Sequence, residues 1–161
     1  QRFRELVNEG FAMDAIGRFV LGRYARVASE SQMAEFRNVF LGVVTQRFLP
    51  LFDDYTRDDF HVEAAKPDPR SQSLFLVQSR VRSPKNDQFA QAGWRVQYKD
   101  GRYRIVDVVA EGVSMAITLR SEYSSVIQQN GGRVDALIAK LRQRVKAGEI
   151  EANTAMTESG G

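Results

Sequence analysis

His61 is the only imidazole in the chain and cysteine is absent, so two-histidine mechanisms, histidine-rich or thiolate metal sites, thiol nucleophiles and disulfides are all excluded. His61 stands on a short alternating stretch opposite Phe60 and Val62, which points it to solvent. Asp53, Asp54, Asp58 and Asp59 crowd one connection. Such carboxylates suit a hard cation, but the spacing lacks the glycine turn of an EF-hand loop, and solvation of a helix end explains the cluster better. Asp107 lies among Val106, Val108 and Val109, with Glu111 just beyond, and is the carboxylate best placed for burial. Two uses are open to it: a general base toward an apolar substrate, or an ion pair with an arginine such as Arg104 or Arg120. No glycine-rich phosphate loop, GxSxG elbow or HExxH pair occurs. The residues therefore assemble no catalytic constellation, no metal set and no cofactor motif.

The elements around these residues fall into three runs. Ile16, Phe19, Val20 and Tyr24 share one helical face, with Asp14 placed as its N-cap. Ser29 and Gln32 form a capping-box pair, and Met33, Phe36, Phe40, Val44, Phe48, Leu51 and Phe52 then recur at three and four. That spacing predicts a long amphipathic helix, interrupted at Pro50. The period next changes to two. Strands are expected around Phe60–Ala64, Phe75–Val81, Trp94–Tyr98 and Tyr103–Val108, with turns at Pro67-Asp68-Pro69, at 83–87 and at Asp100-Gly101. Beyond Glu111-Gly112 the chain returns to helix, stops at Gly131-Gly132, and places Val134, Leu137, Ile138, Leu141 and Val145 on a last helical face. Residues 148–161 are small, polar and aperiodic and read as a disordered tail. The order predicts an α+β fold, a four-stranded antiparallel meander covered by N- and C-terminal helices, within one domain over residues 1–147.

Composition narrows the function less than the fold. Ten Phe beside one Trp and five Tyr suit a solid aromatic core or the lining of a cavity, and periodicity does not choose between them. No run approaches the roughly 18 apolar residues of a spanning helix. Gln1 opens directly into a charged, helix-prone run without Met or a leader, which reads as a processed or trimmed start. The 23 basic residues are interleaved with 20 acidic ones, which argues against nucleic acid as the partner. The one local bias is Arg133, Lys140, Arg142, Arg144 and Lys146 against Asp135 on the last helix, either a solvated face or a weak docking surface.

Two stretches are more specific. Gly17-Arg18-Phe19-Val20-Leu21-Gly22-Arg23-Tyr24, and Tyr103 through Met115 continuing to Arg120-Ser121-Glu122 and Gly131-Gly132, resemble the MlaC/toluene-tolerance family, which includes hopanoid-associated members. The similarity runs from residue 2 to about 146. It implies a nuclear-transport-factor-like cone with an apolar cavity between sheet and helices. It also implies a periplasmic, monomeric, non-enzymatic carrier of a phospholipid, working between an inner-membrane ABC transporter complex and an outer-membrane lipoprotein complex. A signal peptide and a leading helix would precede Gln1 in that family. Taken with the faces above, the resemblance places acyl chains against Phe19, Val20, Tyr24, Phe36, Phe40, Val77, Val81, Trp94, Val96, Ile105, Val108, Val113, Met115 and Ile117. Arg80, Arg104 or Arg120 would then meet the headgroup. A hopanoid-type cargo is the alternative lipid, and a cone-shaped enzyme with Asp107 as base is the alternative function.

Overall fold

The computed structural model describes residues 2–52 and 54–159, with side chains described throughout except at 3, 48–52 and 150–159. The helices α1 (Arg2–Gly10) and α2 (Met13–Leu21) open the chain, and a 3-10 turn at Gly22–Arg26 leads into α3 (Glu30–Phe52). A second 3-10 turn, Arg57–Asp59, precedes β1 (Phe60–Pro67), β2 (Leu74–Arg82), β3 (Phe89–Lys99), β4 (Arg102–Ala110) and β5 (Val113–Ser114). The last two helices are α4 (Met115–Gln129) and α5 (Val134–Ser159). The fold is α+β, and its antiparallel sheet runs in the simple order β1-β2-β3-β4-β5.

The helical layer starts from local signals and is completed by packing. Ser29 Oγ accepts from the Gln32 N–H at 3.1 Å while Gln32 Oε1 accepts from the Ser29 N–H at 2.9 Å, the reciprocal cap that starts α3. Asp14 is not the cap of α2. The helix begins at Met13 behind Ala12, which has no acceptor side chain, and Asp14 sits in the first turn, paired with Arg37 of α3 at 3.0 Å. α3 continues two residues past Pro50; Phe48, Leu51 and Phe52 lie outside the described side chains. Val20 and Leu21 of α2, Phe36 and Phe40 of α3, Tyr123 and Ile127 of α4, and Leu137 and Leu141 of α5 form a closed core. The Phe36 and Phe40 rings stack at 5.4 Å and both meet Tyr123 edge-on at 6.2 Å, geometries aromatic quadrupoles favour. Among the described residues the Tyr123 hydroxyl has no hydrogen-bond partner, and burial pushes its pKa up to about 12.

In the sheet, Asp100 and Gly101 both take positive φ, 52° and 74°, the tight turn that Asp-Gly favours between strands. Glu111 and Gly112 do the same at 50° and 78°. They make a second hairpin into β5 where direct entry into helix was expected, so the sheet has five strands rather than four. Glutamate is not a hairpin residue, and a two-residue strand carries no period, so neither signal was readable. Bulges at Glu63 in β1 and Val106 in β4 break the register and bend the strands. At its far end α5 also runs on past Gly148 to Ser159, over the stretch expected to be unstructured; Ala147, Ala152 and Ala155 with Glu149 and Glu151 favour helix.

The turn between β1 and β2 carries an acid-sensitive contact. Asp68 is buried and accepts from the Arg70 backbone N–H (2.9 Å), Nε (3.0 Å) and Nη2 (2.7 Å). The Arg70 guanidinium and amide hold the carboxyl down to about 2 from its ordinary 3.8. A depressed folded-state pKa means the contribution is complete above about 3.8 and is lost as pH falls through about 2. Urea unfolding across that window should show this loss of stability in the native protein and a flatter profile in Asp68→Asn.

Candidate functional site

The sheet, unlike the helical layer, leaves the apolar side chains of its rows short of full burial. Directly paired residues share a face, so the register collects Val77, Trp94 and Val108 in one cross-strand row. Phe75, Val96 and Ile105 form the next, and Val81 pairs with Ala90 beyond. Among the described residues no apolar side chain of the strands is fully buried. The polar atoms on this face satisfy one another, since Trp94 Nε1 donates to Ser79 Oγ (2.8 Å) and Ser79 Oγ donates to the Ala92 carbonyl (3.0 Å). The surface that remains is apolar and spans β2, β3 and β4. Toward the β3–β4 hairpin it ends in Tyr98 and Tyr103, with ring centroids 4.6 Å apart, and Phe75 lies 6.0 Å from Tyr103. Tyr103 is 64% exposed, so the apolar face opens to solvent at that end.

The bulge at Val106 keeps a charge off this face. Pairs counted from the Asp100-Gly101 turn run Lys99 with Arg102, Tyr98 with Tyr103, Gln97 with Arg104 and Val96 with Ile105; beyond Val106 the pairing becomes Arg95 with Asp107 and Trp94 with Val108. Without the extra residue Asp107 would stand beside Trp94 and Val108 would face away. As built, Asp107 is buried on the opposite face. Its Oδ2 accepts from Ser114 Oγ at 2.5 Å, its Oδ1 accepts from the Ala116 N–H at 3.0 Å, and Arg95 Nη1 lies 3.8 Å away. The arginine partner is Arg95, not Arg104 or Arg120, because the shifted register sets it directly across. Both carboxylate oxygens serve the β5–α4 junction, where Ser114 also caps α4 by accepting from the Ile117 N–H.

The residues expected to line a cavity separate into three groups. Val77, Val81, Trp94, Val96, Ile105 and Val108 lie together on the open sheet face. Val20, Tyr24, Phe36 and Phe40 belong to the closed helical core. Phe19, Val113 and Ile117 are exposed and Met115 is half-buried, around α2, β5 and the first turn of α4. Phe75, Tyr98 and Tyr103 extend the sheet group and were not among the expected set, although the alternation of Phe75 with Val77, of Tyr98 with Trp94 and Val96, and of Tyr103 with Ile105 was visible. His61 is exposed, with its ring 6.2 Å from Phe89.

The acidic cluster does not act as one group. Asp59 is buried in a capping box with Thr56 and pairs with Arg82 at 2.9 Å, which is not the solvated helix end expected of it. Those hydrogen bonds, Thr56 first, lower its pKa. Asp54 pairs with Lys85 at 3.3 Å, and Asp53 lies outside the described residues. Among the described residues no three histidine or carboxylate side chains gather around a common point. On α5, Arg142 and Arg144 are held by Glu35 and Glu122, each at 2.9 Å, so its basic face is partly neutralised by α3 and α4.

Arg80 is committed to Glu63 (3.4 Å) and to the Phe89 ring (4.5 Å), and Arg120 lies over the Phe19 ring at 5.0 Å. Arg104 differs from both. It lines a cleft of about 800 Å³ between the α1–α2 junction and the β3–β4 hairpin, with Arg18, Lys99 and Arg102.

Among the described residues no helix is long and apolar enough to cross a membrane. The intermembrane phospholipid transport system binding protein MlaC of Haemophilus influenzae is 24% identical over 135 residues, which make up 81% of this chain. The chain spans 61% of that relative's length. A solved structure of the phospholipid-binding protein from Ralstonia solanacearum, in complex with a phospholipid, shares the fold: TM-score 0.77, 19% identity, 92% of this chain and 83% of that one covered. The model of the MlaC protein family matches residues 1–143, from α1 into α5 and across the whole sheet. The chain belongs to the MlaC family.

Proposed function

We propose that this chain is a periplasmic carrier that takes the acyl chains of a phospholipid on its open sheet face and exchanges the lipid between an inner-membrane ABC transporter complex and an outer-membrane lipoprotein complex. The observation that carries the reading is an apolar sheet face left only partly buried beside a helical core that is already closed. Each methylene fully removed from water gains about 0.8 kcal/mol and a partly covered one proportionately less, so partial coverage of two long chains is still favourable. Val77, Val81, Trp94, Val96, Ile105 and Val108 supply the contact surface. Phe19, Val113, Met115 and Ile117, exposed or half-buried around α2, β5 and the first turn of α4, are further candidates for contact, while Val20, Tyr24, Phe36 and Phe40 hold the helical core together. Residues 1–147 make up one lipid-binding unit that acts as a monomer and without catalysis. The names of the relatives, one the binding protein of an intermembrane phospholipid transport system and the other a phospholipid-binding protein, support the same class of cargo.

Native mass spectrometry of protein purified without detergent is expected to show a bound lipid, and extraction then separates phospholipid from hopanoid-type cargo. Val96→Glu places a charge in the middle of the row and should lower lipid occupancy at least about ten-fold with the far-ultraviolet spectrum of the fold retained. Lipid-free protein that takes up nothing from phospholipid vesicles would reject the carrier reading.

A further inference from the structure

We propose that the cleft between the α1–α2 junction and the β3–β4 hairpin is an anion site that takes a phosphate group, with Arg104 as its anchor. Register sets Gln97 with Arg104 and Lys99 with Arg102 on one face of the hairpin, and Arg18 reaches the same cleft from α2. Among the described residues Arg18, Lys99, Arg102 and Arg104 have no ion-pair partner, whereas the cleft's Asp14 is held by Arg37 at 3.0 Å. Four cations thus face one space against a single unengaged carboxylate, Asp100 on the turn. The Nε of Arg104 is buried without a hydrogen-bond partner, an arrangement that is costly unless an acceptor completes it. The uncapped first turn of α2, behind Ala12, borders the same cleft and adds its positive end.

A phosphate mono- or diester matches these groups. It is a compact anion with several acceptor oxygens, suited to a guanidinium fork and to neighbouring point cations. Arg104 precedes Ile105 of the apolar row, so its side chain lies on the opposite face of β4 from the acyl surface, and the two are adjacent only around the strand edge where the Ile105 carbonyl accepts from the Ala12 N–H at 2.9 Å. A lipid headgroup as the source of the phosphate rests on the carrier reading, while free phosphate does not.

The test uses delipidated protein and three probes: inorganic phosphate, a short-chain phosphatidylglycerol, and the diacylglycerol with the same chains. Arg104→Gln, and separately the exposed Lys99→Gln in case the first variant folds poorly, should weaken the phosphatidylglycerol about ten- to a hundred-fold and leave the diacylglycerol unchanged. The wild-type affinity should fall with added salt. Phosphate binding that depends on Arg104, alongside lipid binding that does not, establishes the anion site with a free ion as its occupant. Binding of phosphate with neither lipid bound keeps the site and removes the carrier reading. Lipid binding indifferent to both substitutions, with no phosphate binding, overturns the proposal and leaves the carrier reading intact.

Discussion

Phe36→Ala is expected to remove about 3–5 kcal/mol of folding stability, read as a lower urea midpoint, while the lipid taken up per folded molecule stays the same. The ring is fully buried between Phe40 and Tyr123, and Gly17 of α2 packs over it, where an added Cβ would sit at an ordinary contact distance of 3.5 Å. No neighbour can move in to fill the space without separating α2 from α3. The contrasting change is Val96→Ala on the sheet, which should cost well under half as much, because a half-exposed side chain loses less burial and leaves no closed void. A small loss for Phe36→Ala, or a large one for Val96→Ala, would show that the stabilising core lies elsewhere than in the helices.

Asp107→Ala should cost a similar amount, about 3–5 kcal/mol, since it leaves Arg95 without its counter-charge and the Ala116 N–H and Ser114 hydroxyl without their acceptor. Asp107→Asn keeps one acceptor oxygen and is expected to cost about 1–3 kcal/mol. Because Ser114 caps α4, the loss should appear as earlier exchange of the amide protons at the start of that helix. A catalytic base gives the opposite signature: undisturbed stability in Asp107→Asn with loss of turnover. If hydrogen exchange in the first turn of α4 is unchanged in both variants, the junction does not depend on this carboxylate.

Local signals that need no distant partner were legible in the sequence. Ser29 with Gln32 started α3, Asp100-Gly101 closed β3 onto β4, and the alternation through Phe75, Val77 and Val81 identified a strand with one apolar side. What escaped depended on pairing. Counting back from the hairpin sets Arg95 opposite Val106, and only the bulge reveals Asp107 there instead; a bulge between two valine-rich segments leaves no trace in composition. The division of the apolar residues was equally hidden. Phe36 and Val96 are both apolar at the expected period, yet one is sealed by four helices and the other is only partly buried, because the helices pack chiefly on one another. The cationic cleft was seen in part through Arg104, but Arg18, Lys99 and Arg102 join it only once α2 and the hairpin are brought together.

A closed helical core has a consequence for turnover. A protein that folds around its cargo must unfold some of itself to let go, so tight capture and quick release oppose each other. Here the groups that hold the fold and the groups that would hold an acyl chain are different sets of residues. The vacant and occupied forms can therefore share one architecture, and unloading requires breaking only surface contacts. In the carrier proposed above, the barrier to handover would be set by whichever partner offers the departing chain a better apolar surface, and the vacated protein would be ready for another round without refolding.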